Sequence, residues 1–157
     1  MDDKCRSCGN IMNDMDIRCR RCGHCDADRL IVLLRHPETE VRLRTVDAFS
    51  EVVPNLVVAR AIVAAIEDEQ ESVRRAAAIT LFTLRSLSRM VVPELVELLG
   101  STDGVVQRLI VACLSNAGDA ARIAIPSLLS LQQSTDDGLL REWISEALRA
   151  TEDKTAG

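Results

Sequence analysis

Aromatic residues are almost absent from this sequence: it has no tyrosine, and Phe49, Phe82 and Trp143 make up the whole set. Apolar residues nevertheless amount to 47% of the 157 positions, so leucine, isoleucine, valine and alanine must fill any core. Such a composition favours many small helix–helix contacts. The lack of rings also leaves no platform on which single-stranded bases could stack, which argues against that mode of nucleic-acid binding.

Long apolar runs are also missing. The longest ones, such as Ala61–Ile66, are far shorter than the ~20 residues that a membrane helix needs. The first residues, MDDKCRSCG, are charged and precede no apolar stretch, unlike a secretory signal peptide. We therefore expect a soluble cytoplasmic protein without membrane contact. Thiols stay reduced in that compartment, so closely spaced cysteines are expected to be ligands or redox groups and not disulfides.

Catalytic motifs are lacking too. The sequence contains no glycine-rich phosphate loop, and neither His24 nor His36 stands in a recognisable arrangement with a nucleophile or a carboxylate. Cys113 falls on the apolar stripe of a predicted helix, where a lone cysteine is usually a small core residue. The sequence therefore predicts no catalytic residues and no enzyme.

The cysteines that are present form the most specific motif. Residues 5–25, CRSCGNIMNDMDIRCRRCGHC, contain two CxxCG units that supply Cys5, Cys8, Cys19 and Cys22. Two residues between thiols let both sulfurs face one ion, and the glycine that follows suits the left-handed residue closing such a turn. Two facing units make a tetrahedral all-sulfur site, which selects Zn²⁺. The segment resembles a very short zinc ribbon, or double zinc knuckle. Four thiolates leave no open position on the ion, so we expect structural zinc.

Two other chemistries compete for these cysteines. A thioredoxin-like redox motif needs a CxxC at a helix start after a strand, and neither pair has that context. An iron–sulfur cluster could use the C-x2-C-x2-C run of Cys19, Cys22 and Cys25, but the run lacks its fourth C-P element. His24 and Cys25 remain candidate alternates in the metal site, although we expect them to be spectators.

The arginines around the cysteines allow two interpretations. Arg6, Arg18, Arg20 and Arg21 could offset the double negative charge of a zinc–tetrathiolate centre, which is the interpretation we favour. Alternatively, Arg18, Arg20 and Arg21 could touch nucleic acid or an acidic partner.

The rest of the chain repeats itself. Four similar segments begin at an apolar anchor, and the anchors lie 32, 33 and 34 residues apart: Val41, Val73, Val106 and Leu140. Each anchor starts an apolar stripe at helical spacing, and a second apolar helix precedes each segment. Polar loops separate the two helices, and Pro54, Pro93 and Pro126 stand at or near the starts of the later first helices. Pairs of helices at such a period are typical of an α-solenoid.

These segments resemble HEAT repeats, whose pattern of a loop acid followed by V-R-x-x-A-A-x-x-L is carried best by DEQESVRRAAAITL, Asp68–Leu81. The resemblance implies an all-α, right-handed solenoid of about four helical pairs. It also implies that a loop acid pairs with the arginine after the anchor, which is Arg42, Arg74 or Arg141. Gln107 replaces that arginine in the third repeat, so we expect a weaker polar ladder there.

We thus predict a zinc ribbon over 1–26, HEAT-like repeats over 27–151 (about 27–53, 54–89, 90–118 and 119–151) and a polar tail over 152–157. Because no linker separates Cys25 from the first helix, the zinc module should pack on that end of the array, which a solenoid needs capped. The function we expect is a non-enzymatic adaptor that binds another protein through the solenoid surface. The alternatives are a nucleic-acid-associated module and a bilin lyase-like or redox, iron–sulfur protein.

Overall fold

The computed structural model describes residues 4–13, 15–101 and 103–152, so most of the predicted polar tail lies outside the described residues. A hairpin-like N-terminal segment with one isolated antiparallel bridge, between Lys4 and Ile11, precedes a right-handed α-solenoid. The exact boundaries of the predicted zinc ribbon and of the four repeats stay predictions. In chain order the helices are α1 (Ala27–Leu33), α2 (Thr39–Ala48), α3 (Leu56–Ala65), α4 (Glu71–Thr83), α5 (Arg85–Ser88), α6 (Val92–Glu97), α7 (Gly104–Ala117), α8 (Ile125–Ser134) and α9 (Gly138–Glu152).

Four helical pairs make up the solenoid: α1 with α2, α3 with α4, α6 with α7, and α8 with α9. The second helices stack in order, since α2 contacts α4, α4 contacts α7, and α7 contacts α9. The four anchors that define the sequence repeat are all buried at 2% exposure or less. The apolar stripe of each second helix therefore faces the shared core, as predicted, and no single pair could bury it alone.

Loop side chains set the helix starts. Asp26, Asn55 and Asp103 cap α1, α3 and α7 by accepting hydrogen bonds from backbone N–H groups in the first turn. Pro93 and Pro126 lie in the first turns of α6 and α8, where a missing N–H costs nothing. Asp103 thus caps the second helix of the third pair from the loop before it, whereas the residues before α2 and α4 make no such bond.

A short further helix, α5, follows α4, the second helix of the second pair. Helix α4 ends at Thr83, because Leu84 has φ −86° and ψ 66°. Ser88 of α5 is buried, and its hydroxyl donates to the carbonyl of Leu81 at 3.2 Å. Cys113 is 1% exposed, as predicted, and burial raises the pKa of its thiol to about 12. It is a core residue.

A ladder of ion pairs joins each second helix to the polar loop of the next pair. Arg42 donates to both carboxylate oxygens of Asp68, at 2.8 and 3.0 Å. Arg75 reaches Asp103 at 3.3 Å. Arg108 then reaches Asp137 at 2.6 Å. Asp103 and Asp137 also accept backbone N–H groups of the helices they precede, so one carboxylate both caps a helix and ties two repeats together.

The expectation of a weaker ladder at Gln107 was wrong, because Arg108, one residue further on, makes the ion pair instead. The residue after each anchor also holds its own loop through backbone carbonyls, as Arg42 and Arg74 do. Gln107 donates to the carbonyl of Leu99 at 2.7 Å, and Arg141 donates to that of Thr135 at 2.6 Å. An amide side chain can therefore replace the guanidinium there.

One stretch, Gly104–Ser134, is long and apolar enough to cross a membrane by length and composition, and 44% of its window is buried inside the protein. Gly118, at φ 59°, separates α7 from α8 within it. Ile110, Leu114 and Leu128 of this stretch are fully buried in the core. The apolar side chains of this stretch thus include those that pack in the core of the solenoid.

Candidate metal centre

The two CxxCG units adopt the same backbone conformation. In the first, the N–H of Gly9 donates to the carbonyl of Cys5 at 2.8 Å, and in the second the N–H of Gly23 donates to that of Cys19 at the same distance. Gly9 and Gly23 have φ of 70° and 73°, the left-handed region that favours glycine. The glycine after each second cysteine therefore closes the turn, as the sequence predicts.

The turns bring their four sulfurs into one group. The Sγ atoms of Cys5, Cys8, Cys19 and Cys22 all lie within 4.8 Å of one another. Cys5 Sγ is 3.6 Å from Cys22 Sγ, and Cys8 Sγ is 3.5 Å from Cys19 Sγ. A tetrahedral ion with Zn–S bonds of about 2.3 Å requires sulfurs about 3.8 Å apart. The four cysteines could therefore bind a metal ion, and their spacing is compatible with zinc.

The electrostatics of the group fit a cation as well. The backbone N–H of Cys22 helps to lower the pKa of Cys19 to about 6, and the N–H of His24 lowers the pKa of Cys22. For Cys8, the N–H of Asn10 acts in the same direction, but burial and the three neighbouring thiols outweigh it and raise its pKa to about 12. Four thiols this close cannot all ionise by themselves, whereas a divalent cation would stabilise all four as thiolates.

The two additional donors lie outside this group. Among the described residues, the metal-competent set contains neither His24 nor Cys25. The Cys25 thiol is half-buried and points to the carbonyl of Ile17 at 3.8 Å. Burial raises its pKa, which keeps it protonated.

The family of the solenoid is decided by sequence comparison. A family model for HEAT repeats matches residues 59–149, which is more than half of the chain. The chain belongs to the HEAT repeat family. No curated protein matches its sequence.

Two engineered proteins solved by the Northeast Structural Genomics Consortium have a similar structure. The first aligns with a TM-score of 0.61 and 21% identity, over 81% of this chain and 62% of that protein. The second aligns with a TM-score of 0.58 and 20% identity, over 80% of this chain and 37% of that protein. The HEAT protein thus spans less than two thirds of either, and at these identities the likeness shows the fold alone.

The cysteine hairpin packs on the first HEAT pair. Ile17 is 6% exposed and belongs to the same buried cluster as Leu30 of α1 and Phe49, directly after α2. Arg29 of α1 donates to the carbonyl of Asp16 at 2.7 Å and also to that of Asn13. The hairpin therefore covers the end of the array, as the missing linker predicts. The sequence did not single out Ile17, because the hairpin's apolar residues follow no period, nor Arg29, because it binds backbone carbonyls of another element.

Three of the hairpin's arginines are engaged by acids of the same chain. Arg18 pairs with Glu51 at the end of the first HEAT pair, and Arg20 pairs with Asp16 at 2.8 Å. Arg6 lies 3.1 Å from Asp26 and 2.7 Å from Asp28. Much of the positive charge near the cysteines is thus balanced internally, and two of these pairs also fasten the hairpin to the array.

Replacing Gly23 with alanine should weaken zinc binding about tenfold, because a left-handed backbone costs an L-residue about 1–2 kcal/mol. A Cβ at Gly23 would meet nothing within 4 Å, so the cost is backbone strain alone. Competition with a chromophoric chelator measures the affinity. Gly100→Ala is the matched control, since its Cβ also meets open space and its φ is not positive. Equal zinc affinities in the two variants would show that the left-handed turn does not order the site.

Proposed function

We propose that this HEAT protein is a non-enzymatic, cytoplasmic adaptor that holds one structural Zn²⁺ and binds another protein through its solenoid surface. The observation that carries the binding role is the uncovered apolar surface of the second helices: Ile79 is 51% exposed, Phe82 36% and Trp143 38%. Exposed large apolar groups on stacked helices are typical of an interaction surface. HEAT arrays commonly bind proteins, which supports this proposal.

Zinc would be held by Cys5, Cys8, Cys19 and Cys22. Soft thiolates favour Zn²⁺ over the hard cations that prefer oxygen, and four of them close its coordination shell. A closed shell leaves no place for a water or a substrate, so the ion would supply folding free energy and no Lewis acid. The half-buried, protonated Cys25 supports a spectator role for that residue.

The nucleic-acid alternative is less well supported. Two of the three arginines that it needs, Arg18 and Arg20, face Glu51 and Asp16. The net charge of −5 also opposes binding to a polyanion. In the part of the chain that the structure describes, we find no feature that favours a bilin lyase-like or an iron–sulfur function.

Chemical cross-linking in a lysate of the source organism tests the adaptor role. The tagged full chain should cross-link to a protein through residues of α4, α7 or α9, and nuclease treatment should not change the yield. Two results would contradict the proposal: no cross-linked protein at all, or retention of nucleic acid that is lost when Arg18, Arg20 and Arg21 are changed to glutamine.

A further inference from the structure

An apolar strip crosses three second helices of the array. Its members are exposed or half-buried, and one of them, Leu109, also packs against the core. They are Ile79 and Phe82 of α4, Leu109 and Ala112 of α7, and Leu139 and Trp143 of α9. A hydrogen bond of 3.3 Å from the Asn116 side chain to the carbonyl of Phe82 joins the ends of α4 and α7.

The register of the repeats makes the strip continuous. Ile79 and Ala112 each lie six residues after the anchor of their helix, and Leu109 and Trp143 each lie three residues after theirs. Since α4 packs on α7 and α7 on α9, equivalent positions are neighbours across adjacent helices. Ala112 contributes only a methyl group and Leu109 is half-buried against the core, so α7 adds less exposed apolar surface to the strip than α4 or α9.

Charge along the strip is uneven. The arginines that flank it on α4 and α7, Arg75 and Arg108, are neutralised by Asp103 and Asp137. On α9, the exposed acids are Glu142 and Glu146, and the described residues give neither of them an ion pair. Arg149, three residues after Glu146, donates to the Ser145 carbonyl of its own helix at 3.2 Å and keeps its positive charge. With two carboxylates and one guanidinium, that face of α9 still carries a net negative charge.

Glu142 and Glu146 are one turn apart on α9, and Trp143 lies three residues before Glu146, so Glu146 is a neighbour of both on the helix surface. Two carboxylates beside an exposed indole ring can hold a lysine or arginine cation, by ion pairing and by a cation–π contact. Neither an acidic peptide nor an anionic lipid surface would complement this end.

Building on the proposed function, we infer that the partner presents an amphipathic helix whose apolar face covers the strip and whose basic end lies over Glu142, Trp143 and Glu146. The backbone of a helix is satisfied internally, whereas an extended peptide would need a sheet edge, and the strip offers only helices. Neighbouring helices lie about 8–10 Å apart, so the span from α4 to α9 is about 20 Å. A helix of about 13 residues covers that length.

The single tryptophan allows a direct test, because intrinsic fluorescence then reports on Trp143 alone. Two synthetic helical peptides of about 16 residues would share a leucine face, one with lysines at one end and the other with glutamates there. At low salt, the lysine peptide should shift the Trp143 emission of the full chain to shorter wavelength, and the glutamate peptide should not.

Variants locate the contact. Glu142→Gln together with Glu146→Gln should weaken binding of the lysine peptide about tenfold and reduce its salt dependence. Ile79→Asp should abolish binding. Glu67→Gln and Val57→Asp are the matched controls, since both residues are exposed on the first-helix side of the array, Val57 at 63%, and they should bind as the native chain does.

Several results would overturn the inference: no change in emission with either peptide, equal binding of both peptides, or full affinity in the double glutamine variant. An emission shift with protein concentration alone, together with a dimer in sedimentation, would also overturn it by showing that a second copy covers the strip. If the lysine peptide does not bind while cross-links to a partner persist on the array, only this inference fails. If the cross-links are missing as well, the adaptor role fails with it.

Discussion

Replacing Asp68 with asparagine is expected to lower the free energy of unfolding by about 3 kcal/mol, because it removes the buried counter-charge of the Arg42 guanidinium and leaves only an exposed carboxylate near it. The Arg42 side chain is 6% exposed and that of Asp68 11%. Arg42 would keep hydrogen bonds to the carbonyls of His36 and Pro37, which places the expected cost at the low end of the usual range. Urea unfolding at neutral pH measures the change.

The same ion-pair network contains a matched control. Glu69 also lies near Arg42, at 3.3 Å, but its side chain is 76% exposed. Glu69→Gln should therefore cost less than about 1 kcal/mol, as exposed pairs do. If Asp68→Asn is no more destabilising than Glu69→Gln, the buried pair does not hold the first two repeats together.

The pair also predicts a pH dependence. Burial alone would raise the pKa of Asp68, but the hydrogen bonds from Arg42 outweigh it and hold that pKa below its usual range. A lowered pKa in the folded state adds stability above the unfolded value of about 3.9, and this stability is lost as the pH falls through the folded pKa. The native chain should thus lose stability more steeply below about pH 4 than the Asp68→Asn variant.

Periodic and local features were predictable from the sequence. The anchors Val41, Val73, Val106 and Leu140 repeat at a nearly constant spacing, and a helix with one apolar stripe has only one face to bury. The turns of the two CxxCG units depend on two neighbouring residues and a glycine. They could therefore be inferred from the spacing alone.

Features that depend on the relative placement of helices were not predictable. Beyond the first repeat, the closer ion pairs are made by Arg75 and Arg108, one position later than the motif implies, although Arg74 also lies 3.8 Å from Asp103. Likewise, nothing in the spacing shows that Ile17 is the hairpin residue that enters the solenoid core. Such contacts depend on how two elements pack, which a single sequence does not encode locally.

Removing the metal is expected to destabilise the first HEAT pair and leave the last one unchanged. Without the ion, the hairpin should lose its order, because the four thiolates would repel one another or take up protons. The array would then lose the burial of Ile17, worth about 2 kcal/mol, and the hydrogen bonds from Arg29, worth about 1 kcal/mol each. An uncovered terminal face of a solenoid frays.

Two cysteine variants separate loss of the metal from loss of a thiol. Cys22 is exposed, so Cys22→Ser removes a proposed ligand with little effect on packing. This variant should show the same destabilised first HEAT pair as the chelated protein. Cys25→Ser, which changes a half-buried thiol outside the four-sulfur group, should bind zinc as the native chain does.

The central claim is that one zinc ion in the four-cysteine hairpin caps the HEAT array. Hydrogen exchange read by mass spectrometry, on the purified full chain before and after chelation with the metal counted by elemental analysis, tests it most directly. We predict one zinc per chain before chelation, and at least tenfold faster exchange in α1 and α2 afterwards, with no change in α7 and α9. Iron with visible absorbance, or equal exchange of α1 in the two states, would contradict the claim.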